Sequence, residues 1–165
     1  MSRALILGLL IAAAPLAACN DKAGTSFTLN TTDSDGNTTV SADGATGQVS
    51  LNVPGFSGKL NLPKMHLDGN DFDMNGVHLY PGSKITTMNI DAKGNDQGVV
   101  HVAFDSPADP KIVRDWFQQK LTAAGFTLHA DGDGLAGTTD ENKPFSMQLT
   151  PDGAGRAKGD LSVSG

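Results

Sequence analysis

Residues 99–126 read VVHVAFDSPADPKIVRDWFQQKLTAAGF, and within them the apolar period changes from two to about three and a half. Val100, Val102 and Phe104 alternate with His101 and Ala103, which is a strand with one apolar face. Asp109-Pro110 then opens a helix: aspartate suits the cap position, and proline suits the first turn because its missing N–H would be unbonded there anyway. Ile112, Val113, Trp116, Phe117, Leu121 and Ala124 recur at helical spacing and form one apolar stripe. Gly125 ends the run, and Phe126 and Leu128 begin another alternation. The one convincing helix of the chain therefore spans about residues 109–124 and lies between strands.

Working outward, Asp71 to Tyr80 contains Asn75-Gly76 between alternating residues, the pattern of a two-residue hairpin. Its register places Phe72, Met74, Val77 and Leu79 on one face, and Asp71, Asp73, His78 and Tyr80 on the other. Pro81-Gly82 predicts a turn, and Lys84–Ala92 a strand. Beyond the helix, Leu135–Thr139, Phe145–Leu149 and Leu161–Val163 are short apolar runs between Gly-, Pro- and Asp-rich breaks. The expected fold is α+β: residues 79–165 form an antiparallel sheet carrying one packed helix, in the order ββαβββ. Residues 46–78 are a preceding β-rich segment, in which Leu51-Asn-Val-Pro54 returns as Leu60-Asn-Leu-Pro63. A single glutamate, Glu141, and 20 glycines agree with strands and turns over helices.

The N-terminus has a different character. Arg3 precedes an apolar stretch, Ala4 to Leu16, and Leu16-Ala17-Ala18-Cys19 closes it with the only cysteine of the chain. This resembles the lipobox of bacterial lipoproteins. The resemblance implies a signal peptide over residues 1–18, cleavage before Cys19, and lipidation of Cys19, with the lipid bilayer as partner through that residue. Asn20, where an aspartate would retain the protein at the inner membrane, implies an outer-membrane anchor facing the periplasm. Residues 19–45 then comprise the lipidated cysteine and a polar tether, with order in part of it left open. Residues 78–150 are also similar in layout to helix-on-sheet modules of envelope lipoproteins, through Tyr80-Pro81-Gly82, Val113 to Phe117 and Ala124-Gly125-Phe126. Residues 48–63 are mildly similar to Gly/Asn-rich adhesin β-solenoid domains. Neither resemblance carries catalytic residues.

Removal of residues 1–18 leaves 147 residues with 11 basic against 18 acidic side chains, a formal charge of −7. That balance argues against nucleic acid or an anionic membrane surface as partner. Asp71-x-Asp73-x-Asn75-Gly76 matches the first half of a calcium loop, but its twelfth position is Gly82 where a bidentate glutamate belongs. Asp71, Asp73 and His78 remain as weak metal-ligand candidates, because the hairpin register gathers them on one face. Trp116 and Phe117 are read as core, with a groove beneath the helix for an apolar ligand or lipid as the alternative. Ser57 lacks the strand–turn–helix context of an activated serine, and no cofactor or catalytic constellation is expected. The expected function is a non-catalytic binding or structural module of the cell envelope; the alternatives are a carrier of a small apolar ligand and, last, a hydrolase of envelope polymers.

Overall fold

The computed structural model describes residues 24–33, 36–62, 66–93 and 97–164. Eleven strands and one helix follow one another: β1 Ser26–Asp33, β2 Gly36–Ala42, β3 Gln48–Val53, β4 Phe56–Asn61, β5 Leu67–Asp68, β6 Lys84–Lys93, β7 Gln97–Ser106, α1 Pro110–Ala123, β8 Thr127–Asp131, β9 Gly134–Thr138, β10 Pro144–Pro151 and β11 Ala157–Ser164. All the strands belong to one sheet in the order β4-β3-β2-β1-β6-β7-β11-β10-β9-β8, with the short β5 paired to β6.

This corrects the expected α+β fold. Among the described residues strand accounts for 57% and helix for 11%, so they form a mostly-β body with one helix laid on it. Four strands follow the helix where ββαβββ counts three. The sheet is mixed, because β1 runs parallel to β6 and every other pairing is antiparallel. That parallel seam joins the N-terminal meander β1–β4 to β6–β11, so Ser26–Asp33 and Gly36–Ala42 are strands of the same sheet as the C-terminal half. Alternation along short strands reports the faces of each strand, but carries no information about which distant strand completes the ladder.

The register gives the sheet two unlike faces. One carries the rows Phe27, Ala42, Val49, Leu60 and Leu29, Val40, Leu51, which continue through Met88 and Ile90 into Val102, Val100 and Leu161. The other carries Thr28, Ser41, Ser50, Lys59 and Asn30, Thr39, Asn52, Ser57. A bulge in β6 between Ile85 and Thr87 keeps Ile85 and Met88 on the apolar side.

Helix α1 packs on the apolar face over β8–β11. Asp109 holds the cap position, φ −60° and ψ 149°, but its carboxylate makes no capping bond; its carbonyl accepts from Val113 N at 3.1 Å. At the other end Gly125 takes φ 95°, while Phe126 N donates to Leu121 O and Gly125 N to Thr122 O, which closes the helix as a Schellman motif. Pro110, Val113, Phe117 and Leu121 are buried, whereas Ile112, counted in the apolar stripe, is 51% exposed. The core beneath joins Val102, Phe104, Leu135, Met147 and Leu161, all at or near zero exposure. Gly159 makes room for the Phe104 ring, since a Cβ there would collide with it. The segment before β6 seals the near end of this core: Phe72, Val77 and Leu79 are buried, and Met74 packs beside them.

Candidate functional site

Of the hairpin anticipated at Asn75-Gly76 the turn itself forms, with Met74 opposite Val77 as an isolated bridge, while Leu79 N donates to Gly69 O at 3.1 Å. Met74 and Val77 exchange both backbone bonds, at 3.0 and 2.9 Å, around left-handed Asn75 (φ 53°) and Gly76 (φ 77°). Its polar side chains are occupied locally. Asp71 Oδ2 accepts from Asp68 N at 2.7 Å, and Asp73 Oδ1 accepts from Gly76 N at 3.1 Å. His78 Nδ1 lies 2.9 Å from Phe72 O, and its Nε2 stands 3.8 Å from Asp73 Oδ2. Asn75 Nδ2 donates to Asp140 Oδ1 at 2.6 Å, tying the turn to the loop between β9 and β10. The hairpin therefore brings Asp73 and His78 together and turns Asp71 back onto its own chain. Among the described residues no three His, Cys, Asp or Glu side chains gather closely enough to hold a metal ion.

Trp116 and Phe117 lie in contact at 4.9 Å with their rings perpendicular, but in different surroundings. Phe117 is fully buried and meets Phe104 at 6.0 Å, filling the space between helix and sheet. Trp116 is partly exposed and meets the edge of Tyr80 at 5.8 Å, so the pair bridges the helix to the loop at Pro81-Gly82.

The open depressions lie elsewhere. One, of about 410 Å³, adjoins the start of β1, where Thr25 is buried by donating to Ile85 O at 2.7 Å and accepting from Leu67 N at 2.9 Å. Another, of about 630 Å³, lies on the polar face beside Asn30, Asp91 and His101; Asn30 Nδ2 donates to Asp91 Oδ1 at 2.9 Å. Both are rimmed by side chains already bonded to the protein or open to water.

The feature that sequence reasoning missed is the apolar face of β1–β4. Phe27, Leu29, Val40 and Leu51 stand on the helix side of the sheet, yet the helix packs over β7–β11, and none of the four belongs to the core. They are neither buried nor fully exposed, and so are Thr28, Asn30 and Ser41 on the opposite face, as in a single layer. At the edge strand the apolar groups come into the open: Phe56 is 59% exposed, Leu60 65%, and Leu62 just beyond it 46%. The signal was available by counting. A 14-residue helix is about 21 Å long and about 10 Å wide, whereas ten strands side by side extend for about 48 Å. One helix cannot roof such a sheet. Cys19 and residues 1–18 lie outside the described residues, and no described helix is long and apolar enough to cross a membrane. Comparison with family models, curated proteins and solved structures found no match.

Proposed function

We propose that this chain is a lipid-anchored protein of the cell envelope, held at the outer membrane through Cys19, with its folded body on the periplasmic side as a non-catalytic binding or structural module. The observation that carries this reading is the run Leu16-Ala17-Ala18-Cys19 at the end of an apolar stretch. The position of the fold supports it. Gly24, the first described residue, stands five residues after Cys19 and donates to Gly44 O at 2.8 Å, so the folded body begins almost at the anchor. Five extended residues reach about 17 Å, which keeps the sheet close to the bilayer surface. Acyl chains anchor in proportion to their buried methylenes, and more than one chain gives stable attachment.

The test is the mass of the membrane-extracted protein. A product beginning at Cys19 and heavier by several acyl groups is expected, with Cys19→Ser abolishing both the processing and the added mass. An intact 165-residue chain with a free thiol, recovered from the aqueous fraction, overturns the reading.

A further inference from the structure

We propose that the apolar face of β1–β4 lies on the lipid bilayer in which the protein is anchored, with its Ser/Thr/Asn face turned to water. The proposal rests on the anchor reading above and adds to it an orientation and a second, non-covalent membrane contact.

Three observations select the bilayer as the occupant of this face. The first is distance. Cys19 stands eight residues before Phe27, the first side chain of the face, so an acylated Cys19 holds that face within reach of the lipid surface at high effective concentration. The second is charge. The rows Phe27-Ala42-Val49-Leu60 and Leu29-Val40-Leu51 contain no charged residue, Asp33 enters only in the last row of β1 opposite Gly36, and Lys59 shares the opposite face with Ser50 and Ser41. The net acidity of the chain disfavours an anionic surface, so these uncharged rows are the part suited to neutral lipid. The third is area. Four strands about 4.8 Å apart and about six residues long outline roughly 400 Å². That is about half of the roughly 800 Å² per partner of a standard stable interface. A second copy is therefore the poorer occupant, whereas a leashed surface contact needs no such area.

The helix shares the apolar side but does not obstruct this arrangement. From β3 to β10 there are six strand-to-strand steps, and a twist of about 20–25° at each turns the sheet normal by roughly 120–150°. The helix layer then faces away from the surface on which β1–β4 rest. Insertion of an apolar face about 5–10 Å deep places Phe56, Leu60 and Leu62 at the acyl boundary.

The experiment uses the processed lipoprotein in phosphatidylcholine vesicles. Acylation consumes the Cys19 thiol, so Leu60→Cys and Lys59→Cys each carry a single nitroxide label, at neighbouring positions on opposite faces. Both positions are exposed, and Phe56→Cys serves as a second reporter on the apolar side. The expected result is a label at 60 and at 56 that oxygen reaches more readily than a water-soluble nickel chelate, with the order reversed at 59. Equal nickel access at 59 and 60 in protein shown by mass to be acylated overturns this proposal alone. Shielding of 60 from both reagents, or spin–spin broadening from a second copy, overturns it as well. An unacylated mass removes the anchor and this proposal with it.

Discussion

The two halves of the sheet are built from the same alternation and reach different ends. In the half formed by β6–β11, Val102 and Leu161 pair across strands and are completely buried, because α1 and the 69–83 segment lie over them. In the half formed by β1–β4, Val40 and Leu51 pair in the same manner and stay partly open, and Leu60 at the edge is 65% exposed. Side-chain pattern decides which way a residue points. Whether it is buried depends on a second layer, and the described residues supply that layer to one half only.

The sharpest break of this contrast comes from truncating matched side chains. Phe117→Ala removes a ring from the closed half and is expected to cost about 3–5 kcal/mol, against on the order of 1 kcal/mol for Leu51→Ala, both read from urea unfolding midpoints. Equal losses would mean that the N-terminal half is covered after all.

Adding a methyl group asks the converse. Gly159→Ala forces a Cβ against the Phe104 ring inside the closed half, and a cost of about 1–3 kcal/mol is expected. Gly58→Ala meets only the exposed Phe56 ring at 3.3 Å, which can swing aside, so its midpoint should stay within about 0.5 kcal/mol of the parent.

The closed half also holds two hydroxyls, Ser83 Oγ and Ser106 Oγ, that are buried without a partner, at 2% and 1% exposure. Ser106→Ala is expected to stabilise by about 1 kcal/mol, since an unbonded buried hydroxyl carries a desolvation penalty. A loss of stability would show that the hydroxyl is satisfied.

The smallest effects are electrostatic and belong to the exposed rim of the closed half. Hydrogen bonds from Lys111 first and Arg114 second hold Asp115 below its ordinary 3.8. A carboxylate depressed on folding stabilises above that ordinary value, and the contribution is lost as pH falls through the lowered one. Asp115→Asn should therefore lower the thermal midpoint slightly at neutral pH and leave it unchanged in strong acid. Lys158 is raised above 10.5, chiefly by its hydrogen bond to Asp152, so its contribution is present below 10.5 and fades as pH rises through the raised value. Lys158→Met is expected to lose its small destabilising effect in strong alkali.

What was legible in the sequence was local. Asp109-Pro110 and Gly125 bounded the helix to within a residue, and Asn75-Gly76 placed the hairpin turn with Met74 opposite Val77. The face assignment of Phe72, Val77 and Leu79 followed from the same pairing. The continuity of the sheet was not legible. Phe27 and Leu29 alternate as strand residues should, but their neighbours Met88 and Ile90 lie about sixty residues away, and parallel pairing leaves no turn signal between them. The candidate ligands Asp71, Asp73 and His78 were drawn together on paper by the hairpin register. Short carboxylates in turns bond their own backbone first, as Asp71 and Asp73 do.

The parallel seam has a mechanical meaning. Strand β1 is gripped on both sides, by β2 and by β6. Tension applied along β1 therefore shears both ladders at once instead of unzipping rungs one by one. For the anchor proposed at Cys19, β1 is the first strand of the sheet to receive a pull.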